Sequence, residues 1–190
     1  MPRAGVTKDR VVEEAELLAD EVGLRDVSLA RIADRLEIRV PSLYKHIAGL
    51  EGLHRLVEAR AKSELADTMA RAAVGVAGGD AVDALARAYR DWAKRHPGRY
   101  TATLKAPDPD DEASVIASGA AVRVVFDALA GYNLTGEEAI DATRMFRSAL
   151  HGFVALEAAG GFGLPQDVDR SYGRMVDALK RSLAGWSDRG

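Results

Sequence analysis

The nine residues RVPSLYKHI, Arg39 to Ile47, gather two cations, a serine, a tyrosine and a histidine around three aliphatic side chains. On a helical wheel Val40, Leu43 and Ile47 fall on one stripe, at spacings of three and four, and would anchor the segment. Pro41, Ser42 and Lys45 fall opposite, where a helix lying in a DNA groove meets base edges. Tyr44 and His46 flank them, and their neutral phenol and imidazole donors suit phosphate oxygens. Arg39, at the start, can reach a base or a phosphate. Taken singly, each is an ordinary surface residue. The combination at this register is what suggests a reading head.

Other chemistry is sparse. No two of the four histidines, His46, His54, His96 and His151, share a helix face at metal-ligand spacing. His54 has Glu51 and Glu58 one turn away on either side, which reads as a solvated helix face. Cysteine is absent, so thiol chemistry and disulfides are excluded. GGFG, 160–163, precedes Pro165 and reads as a helix break rather than a phosphate loop. The paired acids Glu13-Glu14 and Glu137-Glu138 read as solvated faces. No catalytic residue, metal or cofactor is expected, and an enzyme is disfavoured.

The elements that must position Arg39–Ile47 read as helices throughout. Apolar residues recur at three and four, and no alternating β-branched run occurs. A first helix is expected from Thr7 to Gly23. Ser28 reads as the N-cap of a short second helix with Leu29, Ile32, Ala33 and Leu36 on its buried face. Pro41 suits the first turn of a short third helix closing near His46. A fourth runs from Gly49 to about Ala73. GVAGGD, 75–80, reads as a linker with Asp80 capping helix five, which stops at His96-Pro97. A short helix follows, then the loop 105–114, a seventh helix over roughly 112–131, and an eighth to Ala159 opened by a capping box of Thr135 and Glu138. Asp167 caps the last helix. The expected class is all-α, about nine helices, with a helix-turn-helix head at 1–48 and a helical body at 49–190.

The net charge of −3 is not that of a chain that coats nucleic acid. Any contact must be local. Residues 25–46 hold Arg25, Arg31, Arg35, Arg39 and Lys45 against Asp26, Asp34 and Glu37. The N-terminal residues show no apolar core of a signal peptide, and the longest uncharged stretches, such as 113–122, are short for a membrane span. A cytoplasmic protein with no membrane partner is expected.

The segment SLARIADRLEIRVPSLYKHIAGLEGLHRLV, 28–57, resembles the DNA-binding segment of the tetracycline-repressor (TetR) family. The match is carried by Ser28, Ile32-Ala33, Leu36, Ile38, Ser42-Leu43-Tyr44, His46-Ile47 and Leu53. The stretches 89–104 and 150–179 resemble the branch with a WHG-type C-terminal domain, with Leu150 before His151-Gly152 where Trp is usual. The resemblance implies a homodimer on a near-palindromic double-stranded DNA operator, usually a repressor, released by a small-molecule effector held in the body. It implies DNA contacts for Ser28, Pro41, Ser42, Tyr44 and His46, and more loosely Arg39 and Lys45. This chain departs from the pattern where Glu37 replaces a turn glycine, Arg39 a capping Ser or Thr, and Ala48-Gly49-Leu50 a lysine. These departures predict a looser turn, an uncapped third helix and weaker nonspecific binding.

For the body, Phe146, Leu150, Val154, Tyr172, Met175, Val176, Leu179 and Leu183 lie at helical spacing on the last two helices and are expected to meet a twofold mate, or else to form an internal core. Candidate effector contacts are Met69, Tyr89, Trp92, Tyr100, Phe126 and Phe146, with Arg144 or His151 as polar anchor. Mostly apolar lining would suit a hydrophobic or amphipathic effector. The competing reading is a ligand-binding dimer whose head is weak or silent on DNA.

Overall fold

The structure, a computed structural model, describes residues 5–187. The first four residues, part of the segment searched for a signal peptide, lie outside them. The described residues form nine α-helices and no strand. They are α1 (Lys8–Val22), α2 (Leu29–Arg35), α3 (Val40–Leu43), α4 (Gly49–Ala72), α5 (Gly78–Arg95), α6 (Pro97–Ala102), α7 (Glu112–Leu129), α8 (Gly136–Ala158) and α9 (Val168–Ser187). Short 3₁₀ turns follow α1 and α7.

Two compact units result. One takes in the described residues up to Glu64 together with His96–Ser118; the other holds Leu65–Arg95 and Gly119 onward. These do not coincide with a division at residue 48, because α1–α3 share a unit with the first part of α4, with α6 and with the start of α7.

In the first unit, Thr7 caps α1 by accepting the Arg10 N–H, and Gly23 ends the helix at φ 88°. Val11, Val12, Ala15, Leu18 and Ala19 are buried from α1, and Ile32, Leu43, Leu53 and Val57 from α2–α4. α6 presses unusually close to α1. A Cβ on Gly98 would fall 1.9 Å from the Ala19 carbonyl oxygen, so only glycine permits the contact. Beside it, Asp20 accepts the backbone N–H of Arg99 at 2.9 Å and its Nε at 2.7 Å, while Arg99 Nη1 reaches Glu64 of α4 at 2.8 Å. Asp20 also faces His96 Nδ1 at 3.3 Å.

In the second unit, α5, α8 and α9 pack on one another around Val82, Leu85, Trp92, Phe146, Leu150 and Leu183. Arg90 is the polar centre. It donates from Nε and Nη2 to Glu157 and from Nη2 to Asp169, each at 2.7 Å, and its guanidinium lies 4.7 Å from the Tyr172 ring centroid. Tyr172 in turn donates its hydroxyl to the Ala86 carbonyl at 2.6 Å.

Several expectations are corrected here. Phe146, Leu150, Val154, Tyr172, Val176, Leu179 and Leu183 are buried within the chain itself and Met175 is half-buried, so the internal core claims the residues expected to meet a twofold mate. GVAGGD is not a clean linker: Gly78, Gly79 and Asp80 open α5. Their smallness serves packing instead, since a Cβ on Gly131 would lie 2.9 Å from the Gly78 Cα. Thr135 has N-cap dihedrals, but its side chain receives no bond. Gly136 at φ 53° turns the chain left-handed at that point, and the capping box does not close. Asp167 does cap α9, accepting the Arg170 N–H at 2.9 Å. Finally, 112–132 is long and apolar enough to cross a membrane by length and composition alone, at mean hydropathy 1.6. That helix buries Ser114, Ala117, Val125 and Leu129 and leaves the apolar Val115, Ile116 and Val122 exposed.

Candidate nucleic-acid interface

Ser28 starts the site. It takes an extended conformation and accepts the Arg31 N–H at 3.4 Å, as a helix N-cap should. α2 then ends in a turn of defined geometry. Glu37 sits at φ 54°, its N–H bonds the Asp34 carbonyl at 3.1 Å, and the next N–H, from Ile38, bonds Ala33 at 2.9 Å. That is the 6→1, 5→2 pattern of a Schellman end. The turn is therefore as tight as a glycine would make it, against the expected looseness. A glutamate simply occupies a left-handed position that costs it roughly 1 kcal/mol.

α3 begins at Arg39, which offers no side-chain cap, with Pro41 in the first turn where its missing N–H is harmless. Regular helix ends at Leu43, and turns carry the chain on: His46 N–H bonds the Leu43 carbonyl at 2.8 Å and Ile47 the same carbonyl at 3.1 Å. Leu43 and Ile47 are buried beneath this segment with Ile32 of α2, while Val40 is half-buried. Arg39, Pro41 and Lys45 are exposed, and Tyr44 is 59% exposed. Ser28, Ser42 and His46 are half-buried at the edge. A tyrosine this open is not packing a core. Six of the seven predicted residues thus lie on the one segment Arg39–Ile47, with Leu43 and Ile47 inward and Arg39, Pro41, Tyr44 and Lys45 exposed, while Ser28 stands apart at the start of α2.

The basic patch is smaller than the sequence suggests. Arg35 is turned back to α1, where its Nε pairs with the buried Glu14 and its Nη1 with Glu21 at 2.6 Å. The hydrogen bonds from Arg35 hold the Glu21 carboxyl below its ordinary range. Arg31 leans on the Asp26 carbonyl at 3.4 Å.

The predicted effector residues are divided. Tyr100 lies in the first unit and the rest in the second. Met69, Tyr89, Trp92, Tyr100 and Phe146 are buried, and Phe126 and His151 half-buried. Arg144 is not an inward anchor: its side chain is 76% exposed and pairs with Asp141, one turn away, at 3.5 Å. Sequence reasoning missed a different group. His54 and Glu58, taken for a solvated face, are turned inward: His54 Nε2 is buried and Glu58 is 12% exposed, 3.6 Å from Lys105 Nζ. Burial pushes the His54 imidazole down from its ordinary pKa, and nearby Lys105 adds to that while Glu58 opposes it. No helical periodicity links Lys105 to Glu58, so the sequence carried no signal for their meeting.

Comparison with known proteins bears on the family and the fold. The profile of the family described as "Tetracyclin repressor-like, C-terminal domain" matches residues 82–179. The HTH-type transcriptional regulator YobS of Bacillus subtilis is 37% identical over 96% of this chain and 95% of its own length. The HTH-type transcriptional regulator Rv0681 of Mycobacterium tuberculosis is 36% identical over 98% of this chain and 84% of its own. Among solved structures, the TetR family protein ActR of Streptomyces coelicolor, in complex with actinorhodin, superposes with a TM-score of 0.72 at 17% identity, covering 97% of this chain and 99% of that one.

Proposed function

The chain belongs to the tetracycline-repressor family of transcriptional regulators, and from that premise we propose a cytoplasmic repressor that binds a near-palindromic operator as a homodimer and leaves it when a small hydrophobic or amphipathic effector occupies the body. The observation that carries the DNA reading is the outward set Arg39, Pro41, Tyr44 and Lys45 over the buried Leu43 and Ile47. Pro41, Ser42 and Lys45 face base edges, Tyr44 and His46 hold phosphates, Ser28 contacts the backbone at the start of α2, and Arg39, at the end of the turn, reaches a base or a phosphate. The N–H groups that open α4 at Gly49 offer a phosphate cradle in place of the missing lysine.

Dimer formation falls to what α8 and α9 leave outside. Ile140 and Leu156 of α8 and Gly173, Ala178 and Ala184 of α9 are exposed, and they let two helix pairs approach closely. The effector region draws on Met69, Tyr89, Trp92, Phe126, Phe146 and His151 of the second unit. The actinorhodin complex of ActR supports a ligand-binding body in a chain of this fold.

The test is a salt titration of binding to pooled genomic fragments. A steep linear fall of log K with log salt reports phosphates neutralised by the head. A flat response, with the protein folded and dimeric, overturns the DNA reading and leaves a ligand-binding dimer.

A further inference from the structure

Two side-chain atoms in the first unit, His54 Nε2 and Ser118 Oγ, are buried with no hydrogen-bond partner among the described residues. Leaving such a group unsatisfied costs about 1–3 kcal/mol, so each calls for a reason. For His54 the surroundings supply one. Glu58 lies four residues further along α4, on the same helix face, with its side chain 12% exposed. Its one ion-pair partner among the described residues is Lys105, on the loop between α6 and α7, at 3.6 Å. That separation is an ion pair without a short hydrogen bond. Lys105 itself is 68% exposed, so it reaches in from solvent and can swing away. A half-buried glutamate held by a loose, replaceable ammonium, on the same helix face as an imidazole nitrogen with no partner among the described residues, is a site arranged for a better-seated cation.

We propose that His54, Glu58 and Lys105 form a binding site for a ligand bearing a protonated amine, the ligand ammonium displacing Lys105 from Glu58 and donating a second hydrogen bond to His54 Nε2. The chemistry selects this class over others. A carboxylate ligand would be drawn to Lys105 but set against Glu58. An alcohol brings a single donor and no charge to replace the one it displaces. An ammonium supplies donors for both groups and keeps Glu58 neutralised throughout. The imidazole must present Nε2 unprotonated, and the burial that disfavours its charged form works in that direction. The inference goes beyond the proposed function: the site lies in the first unit, on the α4 segment that follows the recognition head, and is additional to the effector region drawn from the second unit.

The test uses the full-length protein and matched primary amines, alcohols and carboxylates on butyl, octyl and 2-phenylethyl bodies. Binding is read by calorimetry and by the imidazole nitrogen resonances of His54. The expected result is that amines bind, that the corresponding alcohols and acids bind at least about tenfold more weakly, the loss of one charged hydrogen bond, and that the His54 resonance shifts with the amine. Glu58→Gln abolishes the preference for amines. Lys105→Ala tightens amine binding, because the internal competitor is gone; a merely structural ion pair would give weaker binding or none. Preference for carboxylates, amine affinity unchanged in Glu58→Gln, no binding by any amine of the set, or an ordered water alone on Nε2 would each overturn the proposal. DNA binding by the same preparations separates the two readings. Operator binding without amine binding removes this inference and leaves the regulator; amine binding without DNA binding does the reverse.

Discussion

At the scale of single residues, the seven candidate contacts divide by what each side chain can do. Tyr44 presents a phenol to solvent above a buried aliphatic anchor. If that hydroxyl holds a phosphate, Tyr44→Phe weakens binding to operator and random DNA alike, by about 1 kcal/mol, the worth of one hydrogen bond. Fluorescence anisotropy on both DNAs checks it, and a change in sequence preference would contradict the phosphate role. Lys45→Ala should behave differently. If Lys45 meets a base edge, operator affinity falls by roughly 1–3 kcal/mol while random DNA loses less. The positions of Ser28 and Asp167 as caps were legible in the sequence because a cap acts within one turn. The left-handed Glu37 was not, because residue type argued against it and only the Schellman bonds reveal it. Glu37→Gly is expected to raise stability by about 0.5–1 kcal/mol, since glycine adopts that φ without the steric penalty. Urea melts of the two proteins measure the difference.

At the scale of elements, the helices themselves were readable from period and punctuation, but their partners were not. The sequence shows that α8 and α9 carry apolar stripes. It cannot show that α5 covers those stripes within the same chain, with Arg90 stacked on Tyr172 and forked onto Glu157. It also gave no hint that α6 lies backbone to backbone on α1. That contact rests on Gly98, and Gly98→Ala must push α6 off Ala19. Overpacking of this kind costs typically about 1–3 kcal/mol. The Asp20–Arg99–Glu64 bonds beside it would be strained in the same step, so the variant should melt earlier and lose DNA affinity together. Circular dichroism melts and anisotropy on one sample test the pairing. Full stability would show that α6 has room the structure does not give it.

At the scale of the whole molecule, charge links stability to pH. The hydrogen bonds from Arg90 depress the Glu157 carboxyl to about 2. A carboxyl lowered on folding stabilises above its unfolded value and loses that contribution as pH falls through the folded one. The second unit should therefore weaken between roughly pH 4.5 and 2, and Glu157→Gln should flatten that part of the profile while lowering stability at neutral pH by about 1–3 kcal/mol, the loss of charged hydrogen bonds from an Arg90 that keeps Asp169. Glu16 acts in the opposite sense. Burial raises its carboxyl, with Arg60 at 3.1 Å only partly compensating, so its protonated form is favoured and its contribution is lost as pH rises through the raised value. Acid melts of Glu157→Gln and Glu16→Gln against the parent separate the two.

The reading of the molecule as an operator-binding dimer is tested most directly by letting the purified protein select genomic fragments at moderate salt and footprinting the fragment it enriches. The expected result is a protected near-palindrome whose half-sites lie about one helical turn or a small multiple apart. No enrichment above bulk DNA, from protein that is folded and dimeric, would contradict it.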